Sequence, residues 1–378
     1  MVTAEEQVTS VPGNFGFGGH LALQQRVLPA YRAPFFNLLA KSCQGGLSIF
    51  AGEPRKDEVI RSAVNLEEAR WVRAENVHLL AGTWYLLWQR QIVDWLQAFD
   101  PDALILEANP RYLSNRAAIR WMHDRGRPVV GWALGAPPLN SHLAGVRNWL
   151  RKRYLLRFDA LIAYSSQGAE EYKAVGFPEN RIFIAHNAVS PAPIARPSRQ
   201  SFRGRKPRIL FVGRLQVRKR IDMLLDACAR LDQQVELVVV GDGPAREHFE
   251  SQAAELYPQA RFVGPAYGGE LHQWFEWADL FVLPGTGGLA IQQAMAAGLP
   301  VIAAQGDGTQ NDLVSADNGW LVPPDDNDRL LQMLNTALQD PEQLLEMGHK
   351  SFELCVQRFN IEMMVKVFLE AIESVPGT

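Results

Sequence analysis

The stretch 211-FVGRLQVRKRIDMLLDACARL-231, with its counterpart 279-DLFVLPGTGGLAIQQAMAAGLPVIAA-304, decides the reading of this chain. Each begins as the apolar run of a buried strand, passes through a short turn and opens a helix. The first turn supplies Gly213, Arg214 and Lys219. The second runs from Pro284 through Gly285, Thr286, Gly287 and Gly288 into Leu289. Amides at a helix start, with two cations from a neighbouring turn, make a receptor for a diphosphate. Glycines let the backbone approach a phosphate closely, and Thr286 adds a hydroxyl. Solvated surface cations and a plain tight turn would use the same residue types. Their place just past strand ends, where open α/β sheets bind ligands, favours the receptor.

Outward from these segments, short apolar runs alternate with helical patterns along the whole chain. The first half predicts strands at 21–28, 47–50, 77–80, 103–107, 128–132, 160–165 and 182–185. The second half predicts them at 208–213, 235–241, 261–264, 280–284, 300–304 and 320–323. Such alternation implies βαβ units and two parallel sheets. Between the sets, 189-VSPAPIARPSRQSFRGRKP-207 has four prolines and no apolar periodicity, and reads as a linker. The expected organisation is a first domain at 1–190, a linker at 191–207, a second domain at 208–357 and a terminal segment at 358–378. Within the last, 361-IEMMVKVFLEAI-372 repeats apolar residues at helical spacing.

The 378 residues, 47% hydrophobic and 21% charged, suit a globular chain with a large core. Cys43, Cys228 and Cys355 form no CxxC pair, so no zinc site or disulfide framework is expected. A reducing, cytoplasmic setting is. The first twenty residues lack the basic and apolar regions of a signal peptide. No run approaches the roughly 18 apolar residues that span a bilayer. A net charge of −3, without a dense basic face, argues against nucleic acid.

The motifs G-R-L-x3-K (Gly213 to Lys219), V-G-D-G-P (Val240 to Pro244), A-D-L-F-V-L-P (Ala278 to Pro284), A-M-A-A-G-L-P-V-I (Ala294 to Ile302) and N-G-W-L-V-P (Asn318 to Pro323) follow in order. In this series the chain resembles family 4 of the retaining glycosyltransferases, over nearly all of 205–375. The resemblance implies the GT-B fold, two Rossmann-like α/β/α domains facing a cleft, with the terminal helix crossing back to the first. It implies a nucleoside-diphosphate sugar donor on the second domain, a cell-envelope saccharide or lipid-linked acceptor on the first, and no metal or other cofactor. Arg214 and Lys219 would then hold the diphosphate and neutralise the leaving phosphate.

The chain also departs from the family pattern. Gly285 and Gln293 stand where the family carries two glutamates, and Leu134 near its usual histidine. Gln293 would meet the nucleotide ribose as an amide, a weaker acceptor than a carboxylate. A glycine loop without a carboxylate predicts a site that grips diphosphate and discriminates poorly among sugars. These departures also leave open a non-catalytic nucleotide- or saccharide-binding partner protein, or a nucleotide-sugar epimerase of the same fold.

On the acceptor side, Tyr31 and Arg32 follow the first strand, replacing the family's glycine pair, and Asn109 and Arg111 follow another strand end. All four would face the cleft. Lastly, 147-RNWLRKRYLLRF-158 interleaves five cations with aromatics and leucines. That pattern suits an interfacial helix on anionic lipid, at the inner face of a membrane. A core helix with a solvated basic face explains the same pattern and is the favoured reading.

Overall fold

The computed structural model describes residues 16–55, 58, 62, 66–80, 82, 85–139 and 144–375; most of the N-terminal segment read above lies outside them. The first half contains β1 (Leu21–Val27), β2 (Leu47–Gly52), β3 (Arg70–Arg73), β4 (Glu75–Leu79), β5 (Leu86–Arg90), β6 (Ala103–Glu107), β7 (Val129–Ala133), β8 (Ala160–Ala163) and β9 (Ile182–Ile184). The second half contains β10 (Arg208–Val212), β11 (Glu236–Val240), β12 (Arg261–Gly264), β13 (Leu280–Leu283), β14 (Val301–Ala304) and β15 (Gly319–Val322). Helices α1 (Ala33–Lys41), α2 (Ile92–Phe99), α3 (Asn115–His123), α4 (Ala144–Leu155) and α5 (Ser166–Val175) accompany the first set. Helices α6 (Ile221–Arg230), α7 (Arg246–Leu256), α8 (Gly268–Trp277), α9 (Leu289–Ala296), α10 (Thr309–Leu313), α11 (Asn327–Gln339), α12 (Pro341–Gln357) and α13 (Ile361–Glu373) follow.

The strands form two parallel sheets in the orders β3-β2-β1-β6-β7-β8-β9 and β12-β11-β10-β13-β14-β15. Both reverse direction once, between β1 and β6 and between β10 and β13. Two loops diverge at each such switch point and leave a crevice at the strands' carboxyl ends. The loops carrying Lys219 and Gly288 flank one crevice; those carrying Arg32 and Asn109 flank the other.

One expected strand belongs elsewhere. Residues 77–79 fall in β4, which pairs antiparallel with β5 as a separate hairpin, Val77 opposite Trp88. The edge of the first sheet is instead β3, paired with β2. Buried amides tie the hairpin to the sheet: Gln24 donates to Gln89, and Gln89 donates to Asn76 at 2.9 Å.

The terminal helix does cross back. Phe368 of α13 packs edge-on against Phe35, with centroids 5.0 Å apart, and against Trp132 at 4.9 Å. The chain therefore passes between the sheets twice, and the passages touch: the Ile361 amide donates to Ser190 O at 3.1 Å, and the Ala192 amide to Glu362 Oε2 at 2.9 Å. The proline-rich segment is not a loose tether. Arg199 donates to the carbonyls of Phe275, Ala278 and Ala297, where α8 and α9 end. A guanidinium suits the negative ends of two helices, although burial lowers its pKa to about 10.

Candidate active site

The turn after β10 is a short 3-10 segment, Val217–Lys219, that lies against the turn after β13. The Lys219 ammonium donates to Thr286 O at 2.5 Å, and Arg218 Nη1 donates to Thr286 Oγ1 at 2.9 Å. The Thr286 amide returns a bond to Arg218 O at 3.1 Å. So close an approach needs glycine at 285, where a Cβ would strike the Arg218 and Lys219 backbone. Gly287, at φ 142°, holds a backbone that L side chains rarely adopt. Gly288 then caps α9, whose first amides have no intrahelical acceptor. The structure thus brings Lys219 against Thr286 and Gly287, with Gly288 and Leu289 next in the chain.

Arg218 was missed, because in the run 218-RKR-220 nothing in sequence says which cations face inward. Burial, reinforced by Arg218 and opposed by Asp307, lowers the Lys219 pKa to about 8. Arg214 is half-buried and makes no side-chain hydrogen bond or ion pair among the described residues. Gly213 anchors its turn by donating to Val240 O at 3.0 Å. The Gly241–Pro244 loop closes against the same turn, Leu215 N donating to Asp242 O at 2.9 Å.

Gly288 and Leu289 open into a cavity of about 280 Å³ between the two sheets, also lined by Gln292, Asp307, Tyr164 and His186. Gln292 lines it, buried and with an unpartnered Oε1, whereas the half-buried Gln293 does not. Asp307 was not singled out by sequence. Its Oδ1 accepts from the Thr309 hydroxyl at 2.6 Å, and Gln310 joins this loop to Gly287 O at 2.6 Å. His186 lies 3.4 Å from Asp312 Oδ2 across the cleft; that carboxylate also accepts from the Ser166 amide at 2.7 Å.

On the first sheet's side, Tyr31 is exposed but Arg32 turns inward, only 5% exposed. Its guanidinium lies 4.5 Å from the Trp132 ring and donates to Tyr164, while Nη1 has no partner. Arg32 therefore meets the cavity through Tyr164. Glu107 accepts from Tyr112 and from the Arg26 amide, and burial holds its pKa above the usual carboxylate range. The Asn109 side chain accepts from the Arg111 amide at 3.1 Å, shaping its own loop; Arg111 is exposed. Neither lines the cavity.

Helix α4 divides the two readings of 147–158 between its faces. Tyr154, Leu155 and Phe158 are buried, while Val146, Trp149 and Leu150 stand out, each more than half exposed. Arg153 lies over the Trp149 ring at 4.8 Å. No helix among the described residues is long and apolar enough to cross a membrane.

Comparison with known proteins follows this geometry. Residues 206–340 match the family model described as glycosyl transferases group 1, and residues 49–192 match glycosyltransferase family 4. Over 144 residues, 36% of this chain and 28% of its relative, the chain is 34% identical to a sulfoquinovosyl transferase of Arabidopsis thaliana. It is 31% identical to a GDP-mannose-dependent α-mannosyltransferase of Mycobacterium tuberculosis, over 60% of this chain and 62% of the relative. It thus spans less than two thirds of the length of these curated relatives. Among solved structures, Anabaena Alr3699/HepE in complex with UDP superposes with a TM-score of 0.71 at 17% identity, covering 94% of this chain and 99% of that one. The lipopolysaccharide outer core galactosyltransferase WaaB superposes at 0.67 and 18% identity, covering 94% and 99%. With both halves matched and two parallel sheets facing one cleft, the chain belongs to glycosyltransferase family 4, the glycosyl transferases group 1, and has the GT-B fold.

Proposed function

We propose that the chain is a retaining glycosyltransferase that moves a sugar from a nucleoside-diphosphate donor to a cell-envelope saccharide or lipid-linked acceptor. The observation that carries this reading is the Lys219 ammonium bound to the Thr286 turn, where α9 opens into the inter-sheet cavity. A diphosphate there meets the amides of Gly287, Gly288 and Leu289 together with Lys219. Arg214 adds a charge from the same turn, and Thr286 is a further donor contact. These cations stabilise the charge that builds on the leaving phosphate. The departing phosphate oxygen, on the same sugar face as the incoming hydroxyl, takes up its proton. The acceptor lies toward the loop of Tyr31 and Arg32. Nothing in this scheme calls on a metal or a further cofactor.

Support comes from relatives whose names specify GDP-mannose dependence and from structures of a similar fold holding UDP and UDP-glucose. The exposed Val146–Trp149–Leu150 stripe, flanked by Lys152 and Arg153, suits a peripheral seat on anionic lipid at the cytoplasmic face. A screen of nucleotide sugars for donor hydrolysis, with and without lipid extract, tests the activity. One donor should be hydrolysed slowly alone and consumed faster with extract. Nucleotide binding with no turnover of any donor would favour the partner-protein reading, to which Gly285 and Leu134 lend weight.

A further inference from the structure

We infer that Asp307 is a specificity-determining contact to the donor sugar, fixing its hydroxyls beside the diphosphate site. The inference rests on the donor-site reading above and goes beyond it. Among the described residues that line the inter-sheet cavity, Asp307 supplies the carboxylate. Its loop is held in place on the far side of the glycine turn. Gln310 binds Gly287 O at 2.6 Å, and a Cβ on Gly288 would come within 3.1 Å of Thr309 Oγ1. Asp307 Oδ1 is committed to Thr309, whose amide and hydroxyl both donate to it. Oδ2 makes no bond among the described residues and remains an acceptor.

A carboxylate so placed repels the phosphates gathered by Lys219, and its attraction for that ammonium opposes the lowering of the lysine's pKa. It attracts neutral hydroxyls, and charge-assisted bonds to a carboxylate are the strong kind. In a nucleoside diphosphate sugar, the group joined directly to the terminal phosphate is the hydroxyl-bearing ring. A phosphate at Lys219 and the Gly288 amide puts that ring in the cavity that Asp307 lines. The sugar is then read by an acid from another loop, which reverses the weak discrimination expected from the glycine turn alone.

Repulsion from phosphate and attraction for sugar give Asp307→Asn opposite signs on two ligands. Calorimetry would compare the wild type and Asp307→Asn with UDP against UDP-glucose, and with GDP against GDP-mannose. The variant should bind the bare nucleotide as well as the wild type or a few-fold better, and its sugar conjugate about tenfold worse. Equal weakening of both ligands would make Asp307 a loop-shaping residue and overturn the inference, as would an unchanged ratio between them. Wild-type protein that binds neither nucleotide nor conjugate would reject the donor site itself, and this contact with it.

Discussion

At the scale of single residues, the account turns on Lys219 and the glycines it faces. Its pKa of about 8 makes the ammonium the majority form only below that value. Affinity for a nucleoside diphosphate should therefore fall as pH rises through about 8, by up to tenfold per unit. The phosphate's own ionisation, near pH 6, is complete by then. Calorimetric titrations from pH 6.5 to 9.5 check this, and Lys219→Arg, whose guanidinium stays charged, should flatten the curve. Gly288 lies at a φ of −146° that other residues adopt, so Gly288→Val can fold while its branches crowd Thr309 and the mouth of the cavity. It should abolish nucleotide binding with an unchanged melting temperature, measured by calorimetry and thermal denaturation. Sequence made Lys219 and Gly288 legible because each sits in a turn between an apolar run and a helix. It hid Arg218 and Asp307, whose roles depend on which loop they meet in space.

At the scale of elements, strands buried on both faces were readable because they are continuous apolar runs, as in 103-ALILE-107 and 236-ELVVV-240. The half-exposed β3, 70-RWVR-73, offers no such run, and β5 is recognisable only through partners such as Gln24 and Asn76. Helix α13 was legible from its spacing, and it seals the first sheet. Removing the fully buried Phe368 ring from between Phe35 and Trp132 should cost about 3–5 kcal/mol, read by denaturant unfolding of Phe368→Ala. Helix α4 misled a single-face reading because it has two apolar faces, one buried and one bare. Binding to vesicles containing anionic lipid should fall with added salt and be lost when Arg151, Lys152 and Arg153 become glutamine. Equal sedimentation of the wild type and this triple variant would clear α4 of any lipid role.

At the scale of the molecule, the two sheets present their switch points to one cleft, so the loops after β10 and β13 confront those after β1 and β6. The chain passes between the halves at 190–192 and again near 361, and two hydrogen bonds tie those passages together. Across the cleft, Asp312 holds the Ser166 amide and lies beside His186. Burial lowers the pKa of His186, against the pull of Asp312 and with the push of Arg358. The cleft and the returning helix were legible along the chain, but the Asp312 contacts were not, since Ser166 and Asp312 are far apart in sequence and only the packing of α10 on α5 brings them together.

The central claim is that this cleft is a diphosphate receptor built on Arg214, Lys219 and the turn that opens α9. Titrating UDP and GDP into the wild type, Arg214→Ala and Lys219→Ala by calorimetry tests it most directly. The account predicts that the wild type binds at least one of the two at a single site. Each variant, while still folded, should lose at least about tenfold in affinity, as expected for a charge-assisted bond worth roughly 1.5–3 kcal/mol. Unchanged affinity in both folded variants would contradict it.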